Sequence, residues 1–220
     1  MDFEKARFNM VEQQVRPWDV LDSRVLEVIS EIPRENFTPD EYKNLAYADT
    51  RIPLGSYENH PCTMANPVIE GRILQVLDIQ EDDLILEIGT GSGYLTACLA
   101  KLGRHVDSVD INEDLTAMAE KNLQALGITN VNLATGDASK SWDQKRNYDV
   151  IVISAAMASI PDSYKNLLKP GGRLFVVTGE APVMTAHLVT RTDEHQWQVE
   201  DIFETSIEPM IEAVEQKFIF

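Results

Sequence analysis

Cysteine is nearly absent from this 220-residue chain: Cys62 and Cys98 are all it has, too few for a disulfide scaffold or a cysteine-based zinc site. That scarcity fits a reducing compartment. Basic residues are short as well, with 19 Lys and Arg against 36 Asp and Glu, for a formal net charge of −17. A chain of that sign repels nucleic-acid phosphates and anionic membrane surfaces, so neither is expected as a partner. No run approaches the roughly 18 apolar residues of a membrane span. The opening Met1-Asp2-Phe3-Glu4-Lys5 lacks the basic and apolar regions of a signal peptide, and the expected location is the cytoplasm. Repeats, low-complexity tracts and Gly/Ser linkers are missing too. His187 and His195 stand apart from any acidic or cysteine cluster at ligand spacing, and no metal is expected.

What is present is the balance of a globular chain with a full core, 44% apolar and 25% charged. Its pattern changes near residue 80. Before that point, Phe3, Ala6, Phe8, Met10 and Val11, then Val20, Leu21, Val25, Leu26, Val28 and Ile29, recur at helical spacing. Pro33, Pro39, Pro53, Pro61 and Pro67 then punctuate a stretch expected to be loop and extended chain, followed by a helix over 68–77. Residues 1–80 therefore read as an N-terminal helical arm with a loop-rich segment.

From residue 83 onward, β-branched runs at 84–88, 105–110, 131–134, 148–153 and 173–177 alternate with helical stretches at 93–102, 112–126 and 162–168. Such alternation predicts a parallel sheet with crossover helices. Two more strands, over 187–191 and 196–204, flank a short polar turn and predict an antiparallel end to the sheet. Residues 193–217 carry eight acids and one base, Lys217, and read as a solvated acidic face.

The richest string is Leu84-Ile85-Leu86-Glu87-Ile88-Gly89-Thr90-Gly91-Ser92-Gly93-Tyr94, a buried strand entering three alternate glycines and then a helix. Glycine there allows a sharp turn and close approach of a ligand. Tyr94 occupies the position where a dinucleotide fingerprint needs its third glycine, and no Gly-Lys-Ser/Thr follows. Both the dinucleotide and P-loop patterns therefore fail. With no pyrophosphate to cradle, the loop suits a sulfonium amino acid joined to adenosine. Asp110 ends the second strand, at the edge where open α/β sheets bind ligands, and can accept both ribose hydroxyl protons. Gly136-Asp137-Ala138 closes the third strand and Ser154 the fourth, with Asp137 suited to accept from the adenine amine. Glu87, unusual inside a strand, can hold the glycine loop or a ligand ammonium. The candidate cofactor residues are Glu87, Gly89, Thr90, Gly91, Gly93, Asp110, Ile111, Gly136, Asp137, Ala138 and Ser154.

These residues resemble the class I S-adenosyl-L-methionine-dependent methyltransferases, and within them the protein-L-isoaspartate O-methyltransferase family. Residues 28–39, ending Ile32-Pro33-Arg34-Glu35-Asn36-Phe37-Thr38-Pro39, are similar to the family's "x-x-P-R-x-x-F-x-P". Ala48 to Gly55 looks like its "Y-x-D-x-x-L-P-I-G", and Tyr148 to Ala156, Ile160-Pro161 and Leu168 to Leu174 follow its fourth strand and next turn. The resemblance spans about residues 20–212. It implies a Rossmann-like α/β fold with a twisted, mostly parallel seven-stranded sheet, helices on both faces and the N-terminal arm on the substrate side. Residues 81–220 would then be the S-adenosyl-L-methionine-binding domain. It further implies methyl transfer to an isoaspartyl carboxylate, releasing S-adenosyl-L-homocysteine.

The substrate half departs from that pattern. Where the family reads "T-I-S-x-P", this chain has Thr63-Met64-Ala65-Asn66-Pro67, with Ala65 in place of the serine, and the preceding segment, residues 56–62, is longer. Ile207-Glu208-Pro209-Met210 replaces "F-V-P-L". The substrate-loop candidates are His60, Cys62, Thr63, Met64, Ala65 and Asn66, with His60 and Glu58 as possible bases and no catalytic residue assigned. Three readings fit the residues: an isoaspartyl methyltransferase, a relative methylating another protein, peptide or small-molecule acceptor, and a cofactor-binding protein without transfer activity.

Overall fold

The computed structural model describes residues 2–142 and 146–211; the end of the acidic run, from Glu212 to Lys217, lies outside them. Asp2 caps α1 (Phe3–Met10) by accepting from Lys5 N at 3.0 Å. The helical path continues through a π turn, Val11–Val15, and a 3-10 turn, Arg16–Trp18, until left-handed Asp19 (φ 60°) ends it. Asp22 caps α2 (Ser23–Glu31), which buries Val25, Leu26, Val28 and Ile29 on one face, and Pro33 forces the preceding Ile32 into extended conformation.

The proline-punctuated stretch contains more regular structure than its composition suggests. After two 3-10 turns, Arg34–Phe37 and Asp40–Leu45, the segment read as loop forms an antiparallel ribbon of β1 (Ile52–Tyr57) and β2 (His60–Met64). Glu58 and Asn59 make its two-residue turn, both at positive φ (47° and 67°), the conformation that matches the twist of a tight hairpin. Pro53 and Pro61 are tolerated because both strands of a two-stranded ribbon are edges. Pro67 then opens α3 (Pro67–Leu77) at a position with no amide to satisfy.

The remaining chain is β3 (Leu84–Ile88), α4 (Tyr94–Leu102), β4 (His105–Asp110), α5 (Glu113–Ala125), β5 (Val131–Thr135), β6 (Tyr148–Met157), α6 (Asp162–Leu167), β7 (Leu168–Glu180), β8 (Val183–Asp193) and β9 (Gln196–Thr205). The seven strands lie in the order β5-β4-β3-β6-β7-β8-β9, parallel through β7 and antiparallel at β8 and β9. β6 runs past Ile153, where its β-branched run ends, because a register shift between Val152 and Ala156 restores pairing with β7. Alternate strand residues feed two separate buried clusters. Ile85, Val106 and Val150 join Leu74, Cys98 and Leu99 in one, while Leu86, Ile88 and Ile151 join Tyr164 in the other. The first cluster also takes in Met10, Ile29 and Phe37 from the N-terminal segment. Exposed Glu200, Asp201 and Glu204 mark the β9 edge, where charge discourages further strand addition. Among the described residues no helix is long and apolar enough to cross a membrane.

Because the chain runs from β3 outward to β4 and β5 and then returns to β6, the strand order reverses between β3 and β6. Loops at the carboxyl ends of these strands therefore splay apart and leave a crevice.

Candidate active site

The glycine turn after β3 sits at that crevice. Gly89 has φ +96°, and a Cβ there would come within 2.2 Å of Ser154 Oγ. Ser154, near the corresponding end of β6, lies within donating distance of the carbonyls of Ile88 (3.0 Å) and Gly89 (2.9 Å). Asp110, at the end of β4, is 8% exposed. Its Oδ2 accepts from Gly91 N at 2.8 Å and its Oδ1 from Asn112 N at 2.9 Å. Burial raises its carboxyl above the usual aspartate range, opposed by these amide donors.

Glu87 lies behind the turn. Its Oε2 accepts from Thr96 Oγ1 at 2.5 Å and Ser108 Oγ at 2.7 Å, and Thr90 Oγ1 meets Ser108 Oγ at 2.7 Å. Full burial pushes this carboxyl up to about 8. Glu87 and Gly93 do not line the cavity; the Glu87 contacts brace the glycine turn from below. Gly93 (φ +85°) instead abuts α5, where a Cβ would meet the Ala119 Cβ at 3.0 Å.

One cavity opens above the turn. Gly89, Thr90, Gly91, Asp110 and Ile111 line one part of it, with Gly136, Asp137, Ala138 and Ser154 nearby. Cys62, Thr63, Met64, Ala65 and Asn66, on and just after β2, line another. Asn66 is anchored by donating from Nδ2 to Asp49 Oδ1 at 2.6 Å. His60 and Glu58 are exposed at the hairpin turn and do not line the cavity, so the ribbon presents neither to it as a base. Burial pushes the Cys62 thiol up, away from the thiolate.

Several lining residues escaped the sequence reading. Glu70, on α3, is buried against Arg34, whose other terminal nitrogen donates to the Ala65 carbonyl. Arg34 is 0% exposed and stacks 4.7 Å from the Tyr94 ring centroid. Burial pushes the Glu70 carboxyl up to about 7, with Arg34 opposing. No spacing rule pairs residues 34 and 70. Arg51 and residues 207–211 also face the cavity; the altered Ile207-Glu208-Pro209-Met210 segment was the one available signal.

A seven-stranded sheet in this order, with a glycine turn after β3 and an acid ending β4, defines the Rossmann-like methyltransferase fold. The family model described as Protein-L-isoaspartate(D-aspartate) O-methyltransferase matches residues 6–214, and the chain belongs to that family. A protein-L-isoaspartate O-methyltransferase of Petrotoga mobilis is 36% identical over 201 residues, covering 91% of this chain and 92% of its own. Among solved structures, a protein-L-isoaspartate O-methyltransferase superposes with a TM-score of 0.79 at 24% identity, over 94% of this chain. The present chain spans 65% of that protein's length. A Plasmodium falciparum protein crystallised in complex with S-adenosyl-L-homocysteine superposes with a TM-score of 0.78 at 18% identity, over 96% of this chain and 98% of its own. These two likenesses speak to the fold.

Proposed function

We propose that this chain transfers the methyl group of S-adenosyl-L-methionine to the carboxylate of L-isoaspartyl residues in peptides or proteins. The observation carrying this reading is that one cavity is lined by both the Gly89–Asp110 floor and the Thr63–Asn66 segment. The residues fit a nucleoside with an amino-acid arm. Gly89 and Gly91, both at positive φ (+96° and +56°), present bare backbone to the cavity. Asp110 retains acceptor capacity beyond its two backbone bonds, enough for ribose hydroxyls. Ser139 Oγ, on a residue that also lines the cavity, is buried with no hydrogen-bond partner among the described residues. Asp137 is exposed and suited to the adenine amine, with Ile111 and Ala138 as apolar walls.

When bound, the cofactor supplies an electrophilic methyl on a sulfonium. The chain's own task is to hold the acceptor oxygen on the methyl axis in a dry pocket, and orientation of this kind contributes about 7–11 kcal/mol. A carboxylate acceptor is ionised at neutral pH, so no side chain has to remove a proton. That requirement matches a lining in which, among the described residues, there is no histidine. Residues 1–80 would close the acceptor side and residues 81–220 hold the cofactor. Cytoplasmic residence fits the two free cysteines.

Ala65 favours a second reading, methylation of another carboxylate in the same cavity. Loss of one hydroxyl donor to a charged acceptor weakens binding by about 1.5–3 kcal/mol, roughly 10- to 150-fold. The deciding experiment supplies labelled S-adenosyl-L-methionine and an isoaspartyl peptide to the native protein and to Ala65→Ser. Base-labile methyl ester from the native protein is expected. No ester from either form, with cofactor still bound, would move the acceptor elsewhere.

A further inference from the structure

The acceptor end of the cavity has an electrostatic problem. The acids lining the cavity are Glu70, which Arg34 already partners, Asp110 and Asp137 at the cofactor floor, and Glu208, so a carboxylate bound at the acceptor end gains from a cation of its own. Among the described residues, Arg51 is the single Lys, Arg or His side chain lining this cavity. Its place in the ribbon is specific. Ile52 and Met64 form the last pair of the antiparallel register, and Arg51 and Ala65 are the residues that flank this pair, both lining the cavity.

Arg51 is already engaged by a carboxylate. Nη1 donates to Glu208 Oε1 at 3.1 Å, and Nη2 donates to the Ser206 carbonyl. Glu208 belongs to a segment docked on β6 by backbone bonds from Ala156 N to Glu208 O (2.9 Å) and from Met210 N to Ala156 O (2.8 Å). The two side chains are 39% and 35% exposed, so water and solutes reach the pair, and an ion pair of this kind exchanges partners at little cost. Guanidinium donors form a fork matched to carboxylates, and Nη2 can stay on Ser206 while the rest of the fork turns to another anion.

We propose that Arg51 recognises the acceptor carboxylate in this chain, taking over from the hydroxyl absent at Ala65, and that Glu208 is an internal carboxylate which the acceptor displaces. The inference rests on the carboxylate acceptor proposed above. Its test measures equilibrium binding of an isoaspartyl peptide in the presence of S-adenosyl-L-homocysteine, together with steady-state methyl transfer, for native protein, Arg51→Met, Arg51→Lys and Glu208→Gln. Arg51→Met is expected to raise Kd and KM about 10- to 100-fold, with kcat and S-adenosyl-L-homocysteine affinity within about threefold of native. Arg51→Lys should recover part of the loss, because charge is kept and the fork is not. Glu208→Gln should lower KM, since a competitor has been neutralised.

Native peptide affinity retained by Arg51→Met overturns the proposal while leaving the acceptor reading intact. So does a KM for Glu208→Gln at or above native, which would make the pair a clamp and nothing more. A native protein that binds no isoaspartyl peptide at all sinks the acceptor reading, and the Arg51 assignment with it.

Discussion

Beneath the cavity, Asp110 is 8% exposed and its carboxylate is bonded to two backbone amides of neighbouring turns. Above it, Arg51 and Glu208 are 39% and 35% exposed and meet across 157 positions of sequence. The floor is built from the ends of adjacent strands, so its groups are placed by sheet register and main-chain hydrogen bonds. The roof is built from a two-stranded ribbon and a C-terminal segment joined by side chains at the surface. A floor of this kind tolerates little change, whereas a roof of this kind can alter its acceptor preference without disturbing the groups below. Ala65 and residues 207–210 depart from the family pattern on the roof, and the glycine turn on the floor does not.

The largest effect should come from removing Arg34, which ties the roof at Ala65 to α3 and stacks on Tyr94 just after the glycine turn of the floor. Arg34 joins buried Glu70 to the Ala65 carbonyl, and Arg34→Met is expected to cost about 3–5 kcal/mol in urea unfolding at pH 8. The loss should shrink near pH 5.5, where Glu70, already pushed up to about 7, takes a proton. An equal loss at both pH values would show that Glu70 carries no buried charge.

Next in size, Asp110→Ala should weaken S-adenosyl-L-homocysteine binding about 100-fold by calorimetry, through lost bonds to a charged group. Unchanged affinity would remove the ribose assignment from the floor.

The brace under the glycine turn gives a pH-dependent effect. Glu87 has a folded-state pKa of about 8, above the ordinary 4.5. Its contribution to stability is therefore complete below about pH 4.5 and lost as pH rises through about 8. Between pH 6 and 8 the native protein should lose about 2 kcal/mol from this group, and Glu87→Gln should flatten that decline. Parallel stability curves for the two proteins would contradict it.

The smallest contrast uses two glycines. Gly55 on the ribbon and Gly89 on the floor both have positive φ (+115° and +96°), but a Cβ at Gly55 meets nothing within 4 Å. Each Ala variant should lose about 1–2 kcal/mol of stability from backbone strain. Cofactor affinity should fall in Gly89→Ala alone, where the Cβ clashes with Ser154. A matching fall in Gly55→Ala would mean that roof and floor are not separable.

Much of the floor was legible because local pattern encodes it. The strands at 84–88 and 105–110 emerge with the bounds read from their β-branched runs. Asp110 and Asp137 stood out as acids closing successive strands, and the structure brings both to one cavity. Glu87 was legible as an anomaly, and its contacts run to the hydroxyls under the turn. The ribbon was less legible: prolines usually argue against strand, and only an isolated pair of edges accommodates Pro53 and Pro61. His60 looked like a base in sequence, yet the tight Glu58-Asn59 turn leaves it exposed outside the cavity.

The sequence by itself determined the alternation of strand and helix, the glycine turn, the strand-end acids and, through these, the methyltransferase class. Each depends on residues within a few positions of one another, where backbone geometry converts spacing directly into placement. The tertiary structure alone decided that Arg34 lies buried on Glu70 and that Arg51 meets Glu208 at the cavity that Ala65 also lines. These pairings join segments far apart in the chain, and their partners are selected by how ribbon, helix and sheet pack, which no local period records.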